Sequence, residues 1–272
     1  MVHFAVSSMF FHGYPVDEGF DHITEAGFDS IEFWMETPYF WTRGCPFQEL
    51  ADCVARHPSL ALTVHAPVLD LNPCSLNPLV AEASRHYARE ALELAERIGA
   101  TVVTLHPGRR TVKRVPSRQE YVRFGEYIDT VRRCAKGKRV SVSMENMEPA
   151  VNALLCTPES VRNLMDAEPW LHFTLDTSHA QITSQETVYR YIELCGKRLA
   201  NVHLSRTDKG QRHLPLNGDE EGKKIIRFLK DRGYQGHLTI EVEDRNFDHD
   251  LTLEERMLLL CRELEYVRNS WG

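Results

Sequence analysis

The sequence predicts a closed (β/α)₈ barrel formed by residues 1–272 as one domain. Eight short apolar runs alternate with longer amphipathic segments along the chain, and 272 residues is an ordinary length for eight such units. Repeated strand–helix alternation indicates a parallel sheet. A doubly wound open sheet is the alternative, but the chain lacks the GxGxxG or GxxxxGKS/T loop that such a sheet would carry after an early strand. No linker or low-complexity tract divides the chain, which favours one domain.

The strands are predicted from runs of β-branched or apolar residues that are bounded by turn residues. In chain order they cover residues 2–7, 30–34, 60–65, 101–106, 140–145, 171–176, 200–204 and 237–242.

The helices are predicted from apolar residues at helical spacing. The segment 79–98 shows this pattern most clearly, and Gly99 is placed to end it. The pairs Pro116-Ser117 and Thr157-Pro158 each set a capping residue beside a proline, which is typical of a helix start. The predicted helices cover residues 16–26, 46–56, 79–98, 117–135, 157–165, 184–195, 220–231 and 252–269.

Composition and charge exclude several classes of protein. The formal net charge is -7, with 42% hydrophobic and 26% charged residues, which is typical of a soluble globular protein. The chain has no run of 18 apolar residues and no leader pattern in residues 1–11, so we expect neither a membrane span nor secretion. Its seven cysteines are never arranged as CxxC, which favours a reducing cytoplasm over a disulfide scaffold. The negative charge disfavours a nucleic-acid partner, whereas a homo-oligomer is left open.

Six of the eight predicted strands carry, at their carboxyl end, a residue that can bind a metal ion. In a barrel, the carboxyl ends of the strands meet at the face where active sites are built. We expect Glu32, from the second strand, at the same rim. The six strand-end residues are His65, His106, Glu145, Asp176, His203 and Glu241.

A single histidine or carboxylate at a strand end is most often a hydrogen-bonded structural residue or a helix cap. The combination argues against that interpretation, because caps favour Ser, Thr, Asn and Asp over His and Glu. Burying three carboxylates side by side would also cost on the order of several kcal/mol for each uncompensated charge. A divalent cation removes this cost, so we predict a metal site. Its oxygen-rich ligand set suits Mn²⁺, Mg²⁺, Co²⁺ or Zn²⁺ and consists of Glu145, Asp176, His203 and Glu241.

Two glutamates beside a metal ion can also act as bases on opposite sides of a bound polyol. We therefore predict Glu145 and Glu241 as the acid/base pair, with His179 as a third catalytic candidate. His179 can instead support a ligand, contact the substrate or bind a further metal ion, and His213 has the same alternatives. Arg109 follows a His-Pro-Gly turn at the rim, where it can meet an anionic group, although a solvated loop residue is the simpler interpretation.

These motifs resemble the xylose-isomerase-like TIM barrel superfamily, which contains sugar-phosphate isomerases and epimerases, ketose 3-epimerases, dehydroshikimate dehydratases and the endonuclease IV branch (AP endonuclease family 2). The resemblance runs from His65 to Glu241. The motifs that carry it are VHAPVLDLNP, TLHPG, SMENM, FTLDTSHA, NVHLS with HLPL, and GYQGHLTIEVED.

The resemblance implies roles for eight residues. Four of them match the single metal site of the isomerases and epimerases, namely Glu145, Asp176, His203 and Glu241. The other four match positions that complete a three-zinc cluster in the endonuclease branch, namely His65, His106, His179 and His213. Two departures remove negative charge: Gln211 replaces an expected aspartate, and Arg206 stands where an acid is common. Tight binding of a third zinc is therefore not expected. The residues predicted to contact substrate are Glu32, His65, His106, Arg109 and Arg206.

The leading functional hypothesis is a divalent-metal-dependent isomerase or epimerase of a small sugar, polyol or sugar phosphate, which transfers a proton through an enediolate. A zinc phosphodiesterase that acts on abasic DNA is a second hypothesis, favoured by the retention of His65 and His106. A metal-dependent dehydratase or other lyase is a third, because its chemistry also begins with proton abstraction beside a carbonyl.

Overall fold

The computed structural model describes residues 2–272, and it confirms the predicted closed barrel of eight parallel strands. The barrel strands are β1 (His3–Ser7), β2 (Ser30–Trp34), β3 (Ala61–His65), β4 (Val102–Leu105), β5 (Ser141–Glu145), β6 (His172–Asp176), β7 (Leu199–Leu204) and β10 (His237–Ile240). They occur around the barrel in the order β1-β10-β7-β6-β5-β4-β3-β2, so the first and last barrel strands pair and close the sheet. Two further strands, β8 (Arg206–Asp208) and β9 (Gln211–Leu214), form an antiparallel hairpin after β7.

Ten α-helices occur in the described residues, and most begin at a capping side chain. Asn77 accepts a hydrogen bond from the backbone N–H of Leu79, and Gly99 ends the same helix with a φ of 72°. The helices are α1 (Val16–Glu25), α2 (Pro38–Trp41), α3 (Phe47–Ala55), α4 (Pro78–Ile98), α5 (Arg118–Ala135), α6 (Pro158–Ala167), α7 (Thr177–Gln181), α8 (Gln185–Cys195), α9 (Glu220–Asp231) and α10 (Leu253–Trp271). None of these helices combines the length and the apolarity needed to cross a bilayer.

The interior of the barrel contains small polar side chains beneath the carboxyl ends of the strands. Thr104 of β4 and Thr174 of β6 contact each other at 3.0 Å between their hydroxyl oxygens, although β5 lies between their strands. Thr174 also donates to the hydroxyl of Ser143 at 2.7 Å. This contact across the barrel shows that the side chains point inward. The apolar core lies mainly between the strands and the surrounding helices, where Phe173 and Tyr191 stack with their centroids 5.6 Å apart.

Two short α-helices and one β-hairpin were not predicted from the sequence. The short helices α2 and α7 span four and five residues, too few to show helical periodicity. The β8–β9 hairpin has strands of three and four residues, and it stands outside the strand–helix alternation that predicts the barrel.

Candidate metal centre

The four predicted metal ligands lie together at the carboxyl end of the barrel. Glu145 and Asp176 are the last residues of β5 and β6, His203 is the penultimate residue of β7, and Glu241 follows β10. All four are buried, and Asp176 and His203 have no exposed surface. The strand order places β6 and β7 between β5 and β10, so Glu145 and Glu241 approach the centre from different sides.

The distances bring these side chains within reach of one ion. One ligand atom from each of Glu145, Asp176 and His203 lies within 4.8 Å of the other two. His203 Nδ1 is 3.0 Å from Glu241 Oε2 and 3.7 Å from Glu145 Oε2. The arrangement is compatible with a single divalent cation that contacts three carboxylates and one imidazole.

Several polar atoms in this cluster have no hydrogen-bond partner. Those that face the centre are Asp176 Oδ2, His203 Nδ1 and Glu241 Oε2, while His203 Nε2 and the neighbouring Glu32 Oε1 also lack a partner; all are inaccessible to solvent. His203 Nδ1 and Glu241 Oε2 are close, but they lack hydrogen-bonding geometry. Buried polar atoms without partners are rare in folded proteins because each loses its hydration without compensation. The donor set therefore fits a metal ion, which would contact the three atoms that face the centre at once.

The charges in the cluster oppose the effect of burial. Burial raises the pKa of Glu145, but the imidazoles of His106 and His203 outweigh it and hold that pKa well below its usual range. The pKa of Glu241 is also lowered, because His203 and His213 outweigh its burial. Burial dominates at Asp176, where it raises the pKa of the carboxyl. Glu145 and Glu241 are therefore the more strongly ionised pair.

His65 and His106 contact the same oxygen of Glu145. Their Nε2 atoms lie 3.4 Å and 3.1 Å from Glu145 Oε2. His65 Nδ1 donates to the carbonyl of Ala66 at 2.8 Å, which leaves Nε2 facing the carboxylate. Burial lowers the pKa of His65, but its hydrogen bond to Glu145 outweighs burial and raises that pKa to about 9, whereas burial lowers the pKa of His106. One ligand atom from each of the three side chains lies within 4.8 Å of the other two, so they form a second group that could hold an ion.

His179 and His213 form a third group with Asp176. Asp176 caps the short helix α7 by accepting the backbone N–H of His179 at 2.7 Å, and His179 Nδ1 donates to the carbonyl of Asn146 at 3.0 Å. His213 has a φ of 54°, a left-handed conformation that is strained for this residue type. Gln211, which replaces the expected aspartate, is exposed and donates to Asn246 instead.

Asn146 was missed by the sequence analysis. Its side-chain amide donates to the carbonyl of Asp176 at 3.0 Å, and its side-chain oxygen accepts the backbone N–H of Asp176 at 2.8 Å. Asn146 thereby fixes the ends of β5 and β6 relative to each other. The sequence feature that could have indicated this residue is its position directly after Glu145 in the SMENM motif.

The structure places Glu32 in the barrel interior and not at the rim. Glu32 has no exposed surface, and its carboxylate contacts Thr63, Asn201 and His203. It is the third residue of the five-residue strand β2, whereas Glu145 is the last residue of its strand. A side chain at that depth lies beneath the predicted metal ligands, so we no longer assign Glu32 a direct substrate contact.

The two arginines predicted to contact substrate are placed differently. Arg109 is exposed, and Asn72 holds its backbone by accepting from its N–H at 3.0 Å and donating to its carbonyl at 2.8 Å. Arg206 lies in β8, where its Nε donates to the carbonyl of Pro215 at 2.9 Å. The guanidinium of Arg109 therefore faces solvent on a fixed loop, whereas that of Arg206 is engaged within its own hairpin region.

The chain has sequence relatives among known proteins. The chain is similar to an uncharacterised protein of Methanocaldococcus jannaschii, with 30% identity over 272 residues and 99% of each chain covered. It is 22% identical over 245 residues to fructoselysine 3-epimerase of Escherichia coli O157:H7, covering 84% of this chain and 86% of that protein.

Among solved structures, a D-tagatose 3-epimerase-like protein superposes with a TM-score of 0.76 at 24% identity, covering 99% of this chain and 100% of that one. A D-allulose 3-epimerase from Methylomonas sp. superposes with a TM-score of 0.79 at 16% identity, covering 99% and 98%. At these identities the superpositions show a shared fold. The family model described as xylose isomerase-like TIM barrel matches residues 20–263, and the chain therefore belongs to that family.

Proposed function

We propose that this protein is a divalent-metal-dependent epimerase or isomerase of a small sugar, polyol or sugar phosphate. The observation that carries the proposal is the buried cluster of Glu145, Asp176, His203 and Glu241, in which three inward polar atoms lack a partner. The relatives named as fructoselysine 3-epimerase and D-tagatose 3-epimerase-like protein support a carbohydrate substrate.

The proposed centre combines a cation site with two carboxylates on different sides of it. A bound divalent cation would polarise a substrate carbonyl and make the neighbouring C–H more acidic. Glu145 and Glu241 would then transfer the proton. One carboxylate accepts the proton from carbon, and the other takes up a proton from solvent and returns it to the opposite face. The product has the inverted configuration, and release of the accepted proton to solvent resets the pair.

The histidines around Glu145 have a distinct part in this proposal. His65, His106 and His179 lie 3.1 to 3.4 Å from its two oxygens. They hold the carboxylate in one orientation and favour its ionised form, which is the form that accepts a proton. The pKa of His179 is raised to about 10, since the nearby Asp176 and Glu145 carboxylates outweigh its burial. His179 is then a cationic donor for a substrate oxygen.

The experiment that tests this proposal is solvent deuterium exchange. Metal-loaded protein is incubated in D₂O with a panel of ketoses, ketose phosphates and fructosamines, and the carbon beside the carbonyl is followed by NMR. We expect deuterium at that carbon for at least one compound, together with its epimer or isomer, and none after chelation. An absence of exchange across the panel with Mn²⁺, Co²⁺, Mg²⁺ and Zn²⁺ would contradict the proposal.

A second candidate function is a zinc phosphodiesterase acting on abasic DNA. The observation that favours it is the presence of two further ligand groups, one around His65 and His106 and one around His179 and His213. The exposed Gln211 weighs against it, because the third group then has three ligands instead of four. We expect fewer than three tightly bound metal ions per chain by elemental analysis. Three zinc equivalents with cleavage of abasic duplex DNA would favour the phosphodiesterase.

A further inference from the structure

We propose that Glu32 is a positioning residue that holds His203 with its Nε2 protonated, so that His203 binds the metal ion through Nδ1. The inference rests on the metal site of the proposed function, but it does not depend on which reaction that site performs. It replaces the substrate contact that the sequence analysis predicted for Glu32.

The contact between the two side chains is short and fully enclosed. Glu32 Oε1 lies 2.9 Å from His203 Nε2, and neither side chain has exposed surface. Neither Oε1 nor Nε2 has a hydrogen-bond partner in the described residues, and the two atoms are close without hydrogen-bonding geometry, so each is the nearest polar group that can satisfy the other. An ionised carboxylate can only accept, so Nε2 is the atom of this pair that can supply a hydrogen.

The other carboxylate oxygen is fixed by two donors. Glu32 Oε2 accepts from the side-chain amide of Asn201 at 2.6 Å and from the hydroxyl of Thr63 at 3.3 Å. The amide orientation of Asn201 is itself set, because its side-chain oxygen accepts from the hydroxyl of Thr239 at 2.7 Å. Glu32 is therefore locked by strands β3, β7 and β10, and it cannot turn away from His203.

The second ring nitrogen of His203 faces the predicted ligands. Nδ1 is 3.0 Å from Glu241 Oε2 and 3.7 Å from Glu145 Oε2. With a proton on Nε2, Nδ1 is the ring nitrogen whose lone pair is left to bind an ion among the carboxylates. Metal-binding histidines commonly donate their other N–H to a carboxylate, which fixes the tautomer and increases the basicity of the ligand nitrogen.

The substitution Glu32→Gln tests the contact because glutamine adds a donor where only acceptors fit. If its amide nitrogen faces His203, it favours a proton on Nδ1 and removes the metal-binding lone pair. If the amide nitrogen instead faces Asn201 and Thr63, it opposes two groups that already donate hydrogen bonds to the carboxylate in the wild type. Glu32→Asp keeps the charge but withdraws the oxygen from His203. Glu120→Gln is the matched control, because Glu120 is 1% exposed and its carboxylate caps helix α5 through Ser117.

The first measurement is the affinity for Zn²⁺ and Co²⁺ by isothermal titration. We expect Glu32→Gln to bind about 10- to 100-fold more weakly than the wild type, Glu32→Asp also to bind more weakly, and Glu120→Gln to match the wild type. Circular dichroism confirms that each variant is folded. Wild-type affinity in Glu32→Asp would show that charge alone matters, and wild-type affinity in Glu32→Gln would remove Glu32 from the site. Either result overturns the proposal.

The second measurement needs no variant at position 32. In Zn²⁺-loaded wild-type protein with ¹⁵N-histidine, long-range ¹H–¹⁵N spectra report which ring nitrogen of His203 carries a proton, and His203→Gln identifies the signal by its loss. We expect Nε2 protonated and Nδ1 metal-bound, and the opposite pattern overturns the proposal. A wild-type protein that binds none of these ions would instead refute the metal site of the proposed function together with this inference. Tight binding with the wrong tautomer would refute this inference alone.

Discussion

His237 should make the protein less stable as the pH falls from neutral towards 5. This residue begins β10 at the amino end of the barrel, where its Nδ1 lies 3.0 Å from the hydroxyl of Ser30 and its Nε2 lies 3.1 Å from that of Thr101. Burial and the neighbouring His3 lower its pKa from 6.5 to about 4. Between these two values the unfolded chain binds a proton that the folded protein does not bind.

The magnitude follows from the size of that pKa difference. A pKa shift from 6.5 to about 4 lowers the free energy of unfolding by roughly 3 kcal/mol once the pH is below both values. Of this, about 2 kcal/mol is lost between pH 7 and pH 5, and the loss grows as the pH falls further towards 4. Above the unfolded value of 6.5 the histidine is neutral in both states, so this contribution to stability is fully present.

The assay is urea unfolding of the wild type and of His237→Gln at pH 7 and pH 5. Other groups also titrate, so the relevant quantity is the difference between the two proteins in their pH dependence. We expect His237→Gln to lose about 2 kcal/mol less than the wild type over this range, while His86→Gln, an exposed position on α4, behaves as the wild type. If wild type and His237→Gln lose equal free energy, the assignment of the pH effect to His237 is wrong.

Three further predictions concern the site and its rim. Glu145→Gln and Glu241→Gln should each reduce solvent deuterium exchange by about 10²- to 10⁴-fold with an unchanged circular dichroism spectrum; near-normal exchange in either variant would remove that residue from the acid/base pair. Chelation should lower the melting temperature, because an ion present at about 100 times its Kd stabilises the folded protein by about 2.7 kcal/mol; equal melting temperatures with and without ion would count against tight binding. Gly108→Ala should cost at least about 1–2 kcal/mol in urea unfolding, since Gly108 has a φ of +79° and a Cβ would lie 2.7 Å from Asn72 Oδ1. Gly125→Ala is the control, because nothing lies within 4 Å of its Cβ position in α5 and the change should stabilise the helix.

The sequence predicts the barrel well because its signals are local and repeated. Each of the eight barrel strands was predicted within two residues of its observed ends, as in β5, where the run ends at Glu145. The metal-ligand candidates followed from the same strand ends, since parallel strands must deliver those ends to one face. The structure brings the four residues together, whereas their role as ligands stays a prediction.

Two kinds of feature could not be predicted from the sequence: the depth of a side chain inside the barrel, and contacts between side chains of non-neighbouring strands. The contact between Glu32 and His203 joins β2 and β7, which are far apart in the chain and are not neighbours in the sheet. Whether an inward side chain lies at the rim or one layer lower depends on strand register, which periodicity does not reveal. The left-handed backbone of His213 could not be predicted either, because a histidine in the sequence does not by itself indicate a positive φ.

The pairing of β1 with β10 also has a consequence for how the protein matures in the cell. Glu241 comes directly after β10, so the ribosome synthesises it long after Glu145 and Asp176. A nascent polypeptide presents an incomplete set of donors until its final strand has emerged and joined its first. If the proposed site binds an ion, loading would therefore be a late event in biogenesis, and a chain truncated before β10 would lack one of the four proposed ligands.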